Sequence, residues 1–162
     1  MYDTDGNLLA QNQTFDAATD TSKYQIESGV STDALGTISV PDVTGMWTFA
    51  GLADKVGQTD DGDSLSDGDT VSVQIYGAKS SRIDDTCNNT KRYGIDRGGR
   101  DLEYQADVVK SETRDGDSGG PWVDDNGKLL ACHFGIASDW DDAWSVGSVG
   151  YESLDRVGAT TN

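Results

Sequence analysis

Histidine is almost missing from this chain: of 162 residues only one, His133, is a histidine. Basic residues are also scarce, 12 Lys and Arg against 29 Asp and Glu, for a formal charge of −17. A field of that sign repels phosphate backbones and anionic lipid, so neither nucleic acid nor a membrane surface is an expected partner. The acidity reads first as a solvation shell of the halophilic kind, where dissolved salt screens the self-repulsion, and second as calcium binding or a basic partner. No apolar run approaches the roughly 20 residues of a membrane span. The start, Met1-Tyr2-Asp3-Thr4-Asp5-Gly6, lacks the basic and then apolar pattern of a signal peptide. If the protein acts outside the cell or at its surface, its address is expected outside these residues. The two cysteines, Cys87 and Cys132, allow one disulfide closing a long loop or two buried thiols, and both readings stay open.

What is present is mostly strand pattern, on a length that fits one domain over 1–162. Tyr24-Gln25-Ile26, Gly36 to Val40, Thr70 to Gly77 and Leu102 to Val109 alternate apolar with polar residues, the period of a half-buried strand. Trp122-Val123 and Leu129 to Cys132 flank Asp124-Asp125-Asn126-Gly127, and Asn-Gly is a strong hairpin signal. Met46 to Ala53 is the most apolar patch of the first half, either a short helical turn or a connecting loop, with aromatics that fill a core. Residues 58–69 form an acidic, Gly-rich segment, but Leu65 falls where a calcium loop needs a ligand, so a solvated turn and no metal are expected. Residues 88–101 read as a loop whose Lys91, Arg92, Arg97 and Arg100 offset local acidity. Tyr151 to Val157 reads as one or two helical turns.

One stretch stands apart from this background. Gly116-Asp117-Ser118-Gly119-Gly120-Pro121 specifies six consecutive residues, which ordinary composition yields by chance with a probability on the order of 10⁻⁵. A serine hydroxyl becomes a useful nucleophile when it projects from a rigid turn beside a base and beside amides that can receive an oxyanion. Glycines on both sides permit the turn and a close approach by substrate. The hexapeptide resembles the nucleophile loop of the chymotrypsin-like (trypsin family) serine proteases. The resemblance implies an all-β fold of two antiparallel barrels with the first one incomplete, and a short C-terminal helix. Residues 1–68 would be the remainder of the first barrel and the connection, and 69–162 the second barrel. It further implies a polypeptide substrate and no cofactor.

Carried over residue by residue, the resemblance makes Ser118 the nucleophile and the amides of Gly116 and Ser118 the oxyanion hole. Asp117 becomes a buried carboxylate that locks the loop through an ion pair, with an internal arginine as the expected partner. Asp16, 102 positions before Ser118 and followed by two alanines, takes the place of the triad acid, with Asp20 as second candidate. Gly135, Ile136, Ala137 and Ser138 resemble the strand that lines the primary specificity pocket. Glu112 falls where trypsin keeps its pocket carboxylate, which would favour a basic side chain before the cleaved bond.

The general base does not fit. The family places its histidine before the acid, and no histidine precedes Ser118 here. Three readings follow: the base lies outside these residues, the base is lost and the fold has become a noncatalytic acidic β-domain that binds a protein partner, or His133 substitutes. A tight hairpin at Asn126-Gly127 would put position 133 diagonally across from 118, at a Cα separation of about 7–8 Å. That is near but not bonded, so a strand histidine without a catalytic role is expected. Loss of the base costs about 10⁶-fold in turnover. These residues alone are therefore expected to be close to inert on peptides.

Overall fold

The computed structural model describes residues 5–19, 21–30, 42–59, 68–95, 101–109, 112–139 and 142–159. The expected strand at 36–40, the alternative acid Asp20 and the centre of the acidic segment at 60–67 lie outside them.

The chain folds around one closed barrel. Its strands are β4 (Val71–Gly77), β5 (Ser81–Ile95), β6 (Asp101–Val109), β7 (Pro121–Asp124), β8 (Lys128–Asp139) and β9 (Asp142–Val149). All pairings are antiparallel, in the order β8-β7-β4-β5-β6-β9, and β9 pairs back onto β8 to close the ring. Closure leaves the barrel without a free edge. Alternation decides which side chains point inward: along β4, Val71, Val73 and Ile75 are buried while Ser72 is exposed. These three meet Cys87, Val108, Trp122, Leu130 and Val149 in one core.

β5 corrects the loop expected at 88–101, because it continues as strand through Ile95. The long strand serves two neighbours in turn, pairing Val71–Gly77 of β4 with its first half and β6 with its second. A register shift between Cys87 and Asn89 bends it from one to the other. The polar composition that looks like a loop belongs to a strand that buries both Asn89 and Thr90. Asn89 donates to Thr59 and Asp107 at 2.9 and 3.1 Å, and Thr90 to the Gly57 carbonyl at 2.7 Å.

Of the two readings of Met46 to Ala53, helix is the outcome. The short strand β3 (Gly45–Met46) runs parallel to β8, and α1 (Phe49–Val56) follows. Thr48 caps α1 by accepting the Gly51 amide at 3.1 Å, and Gly57, at φ 86°, ends it. Phe49, Leu52 and Val56 put one apolar stripe against the barrel. Removing the cap with Thr48→Ala is expected to lower stability by about 1 kcal/mol, with Thr48→Ser restoring most of it. The readout is the urea midpoint, and equal midpoints for the alanine and serine variants would show that the hydroxyl contributes nothing.

The remaining elements frame the site. α2 (Gly150–Arg156) closes the chain, as the helical spacing of Leu154 and Val157 predicts. β1 (Ala10–Asp16) and β2 (Thr21–Ile26) form a separate two-stranded hairpin. It docks through the Ala18 carbonyl, which accepts from the Glu103 amide at 2.8 Å, and the Thr19 carbonyl, which accepts from the Ser148 hydroxyl at 2.7 Å. Cys87 is fully buried, Cys132 half-buried, and both are free thiols, which resolves the open cysteine question. Burial pushes them up to about 12 and about 11, respectively.

Candidate active site

Ser118 projects from a turn fixed at both ends. Downstream, Gly119 donates to the His133 carbonyl and the His133 amide donates to the Gly120 carbonyl, both at 2.7 Å, so the loop enters the sheet beside β8. Upstream, the buried Asp117 carboxylate is the anchor. One oxygen accepts from the amides of Lys79 and Ser80 at 2.7 and 3.0 Å; the other accepts from the Ser80 hydroxyl at 2.5 Å and the Arg114 amide at 2.8 Å. Among the described residues the lock is made of hydrogen bonds, in place of the arginine ion pair expected from sequence. Arg114 contributes its backbone, and three amides in the β4–β5 turn and the loop do what a guanidinium would otherwise do. Burial works against the charged form, but these four donors outweigh it and hold Asp117 at about 2.

Two glycines exist for this anchor. A methyl on Gly77 would collide with the Asp117 carboxylate, and one on Gly120 with the Tyr76 carbonyl. The carboxylate can therefore lie flat on the end of β4 only because no side chain stands there.

The Ser118 hydroxyl is exposed and donates to the Phe134 carbonyl at 3.2 Å. Neither the Gly116 nor the Ser118 amide donates to an acceptor among the described residues. The hydroxyl opens onto a cleft of about 630 Å³, walled by Thr21, Ser22 and Tyr24 of β2, by Cys132, His133 and Phe134 of β8, and by Leu154. The hairpin of β1 and β2 thus forms one wall and the closed barrel the other.

His133 is the residue that sequence reasoning undervalued. It is buried, its ring lies 6.0 Å from that of Trp122, and its Nδ1 has no hydrogen-bond partner among the described residues. Burial pushes the imidazole down to about 4, with Asp117 pulling weakly the other way, so it is neutral at pH 7. Ser118 bonds to a main-chain oxygen and not to this ring. Its position was readable from the Asn126-Gly127 hairpin, but its place in the cleft wall depends on β2 lying opposite.

The other sequence candidates are distributed as follows. Asp16 ends β1, where one oxygen accepts from the Thr19 amide and hydroxyl at 2.9 and 2.7 Å and the other lies 3.5 Å from the Arg156 guanidinium. Partial burial raises its pKa, and Thr19 and Arg156 more than reverse this, so it sits below the usual carboxylate range. It does not line the cleft among the described residues, although its strand partner Thr21 does. Gly135 and Ile136 follow the cleft wall along β8, paired with Val146 and Ser145. Ala137 and Ser138 continue that strand against Trp144 and Ala143, and their side chains lie outside the described part. Glu112 lines a different hollow, with Lys79, Arg82 and Arg114, and is exposed.

No protein-family model matches the sequence, and no curated protein matches it. Among solved structures the chain is similar to a glutamic acid specific serine protease described as using a novel histidine triad in substrate binding. The likeness has a TM-score of 0.64 at 14% identity, over 99% of this chain and 77% of that one. With its closed six-stranded antiparallel barrel and C-terminal helix, this chain has the all-β, chymotrypsin-like fold.

Proposed function

We propose that the chain is the nucleophile-bearing part of a serine endopeptidase. Ser118 attacks the peptide carbonyl, and the amides of Gly116 and Ser118 receive the oxyanion. The observation that carries this reading is an exposed hydroxyl on a locked turn, at the mouth of a cleft, next to two amides with no acceptor among the described residues. The base that takes the serine proton and returns it to the leaving amine is a histidine outside these residues. His133 is not assigned that role, because Ser118 donates to the Phe134 carbonyl and burial, which pushes the imidazole down to about 4, leaves it a weak base. Asp16 is retained as the candidate that would orient such a histidine, since its strand partner already lines the cleft.

For specificity, the reading takes His133, which lines the cleft itself, over Glu112, which lines the other hollow. A substrate carboxylate entering there would draw the imidazole's pKa back up from about 4 and share its proton. This agrees with the glutamic acid specificity of the structural neighbour, with one histidine in this chain where that protein is described as using three.

The test is covalent labelling by a fluorophosphonate in high salt, on the chain extended by its upstream coding sequence. Labelling that vanishes in Ser118→Ala is the expected result. Labelling that survives that substitution, or none in the extended chain, would sink the assignment and favour the noncatalytic acidic domain that binds a protein through the same cleft.

A further inference from the structure

The nucleophile loop runs between two hollows. Ser118 and Gly119 line the first, and a few residues earlier Glu112 and Arg114 line the second, an open hollow of about 710 Å³ that also receives Lys79, Ser80 and Arg82. We propose that this second hollow is a substrate subsite in which Lys79 and Arg114 take a carboxylate side chain of the peptide, on the opposite side of the scissile bond from the residue held in the Ser118 cleft. The proposal rests on the reading of Ser118 as nucleophile.

Position is the first argument. The amides of Lys79 and Arg114 both donate to the Asp117 carboxylate, at 2.7 and 2.8 Å, so the backbone carrying each cation is tied to the residue just before Ser118. The Lys79 stem lies along the loop as well, with its Cγ 2.9 Å from where a methyl on Gly116 would stand. One carboxylate therefore sets the nucleophile and both cations in a common frame.

Charge is the second. Three cations among the described residues hold a carboxylate. Lys55 has Asp69, Arg82 has Asp84, and Arg156 has Glu103 and Asp16. Lys79 and Arg114 have no carboxylate partner among the described residues, and both border this hollow. The same hollow holds three acids against three bases, for a formal charge of zero on a chain of −17: Asp84 pairs with Arg82, Asp85 accepts the Thr86 amide, and Glu112 stays exposed. On a surface that otherwise repels anions, these two cations supply the attraction that an acidic peptide needs.

The experiment uses the whole chain carrying Ser118→Ala and fluorescent peptides that hold Glu at one position and Gln at the others. Binding is read by anisotropy at low and high salt. The expected result is a position at which Glu binds about fivefold tighter than Gln at about 0.1 M ionic strength, as two exposed ion pairs allow. That preference should disappear in Lys79→Ala/Arg114→Ala, fade in about 1 M salt, increase in Glu112→Gln and persist in His133→Ala. Equal binding of Glu and Gln peptides at every position overturns the proposal. So does the absence of any Glu preference that both persists in His133→Ala and is lost in Lys79→Ala/Arg114→Ala, or no peptide binding up to about 1 mM. A Glu preference that depends on Lys79 and Arg114, together with failed fluorophosphonate labelling, would leave the hollow standing and remove the nucleophile. Labelling without the preference would do the reverse.

Discussion

Asp117→Ala is expected to lose about 3–5 kcal/mol of stability, because it strands the amides of Lys79, Ser80 and Arg114 and the Ser80 hydroxyl without their acceptor. Asp117→Asn keeps the shape but turns an NH₂ group toward donors, so it should recover only a fraction. The pH dependence has a definite sign. The folded pKa, about 2, lies below the ordinary 3.8, so the carboxylate contributes stability that is complete above about pH 4 and lost as pH falls through about 2. The contribution is on the order of 2 kcal/mol. Other carboxylates titrate in the same window, so the informative quantity is the difference in urea midpoint between wild type and Asp117→Asn from pH 2 to 7. That difference should shrink toward the acid end. A constant difference, or an Asp117→Ala variant within 1 kcal/mol of wild type, would show that the loop is held by something else.

Trp122→Ala is the other large loss, about 3–5 kcal/mol, through the cavity left when a fully buried indole is removed from β7. Trp122 belongs to the barrel core and also backs His133 at 6.0 Å, so the cavity opens directly behind the cleft wall. The indole Nε1 has no hydrogen-bond partner among the described residues. Trp122→Phe therefore removes an unsatisfied donor along with some packing, and should cost well under half as much as alanine. Calorimetric melting distinguishes them. A phenylalanine variant as unstable as the alanine one would mean that the indole nitrogen is bonded in solution.

Much of the local structure was legible because its causes are local. The nucleophile turn is written in six consecutive residues and the β7–β8 hairpin in Asn126-Gly127, whereas Met46 to Ala53 reads from sequence as either a helical turn or a loop. The second half of β5 was not legible. Its buried residues Asn89 and Thr90 are polar and are satisfied by Thr59, Asp107 and the Gly57 carbonyl, which come from other parts of the chain. Hydrophobic alternation finds strands that bury apolar side chains and passes over one that buries a hydrogen-bonded network.

The candidate site divides in the same way. Sequence by itself determined that Ser118 sits on a Gly-flanked turn and that no histidine precedes it, since both are facts of order along the chain. Only the tertiary structure decided that Asp117 is held by amides 37 and 38 residues away, that His133 and the β1–β2 hairpin wall the cleft, and that Glu112 faces Lys79 and Arg114 in a second hollow. The reason is physical. A turn is specified by the torsional preferences of adjacent residues, whereas the partners of a buried charge and the walls of a cleft are set by which strands barrel closure brings side by side.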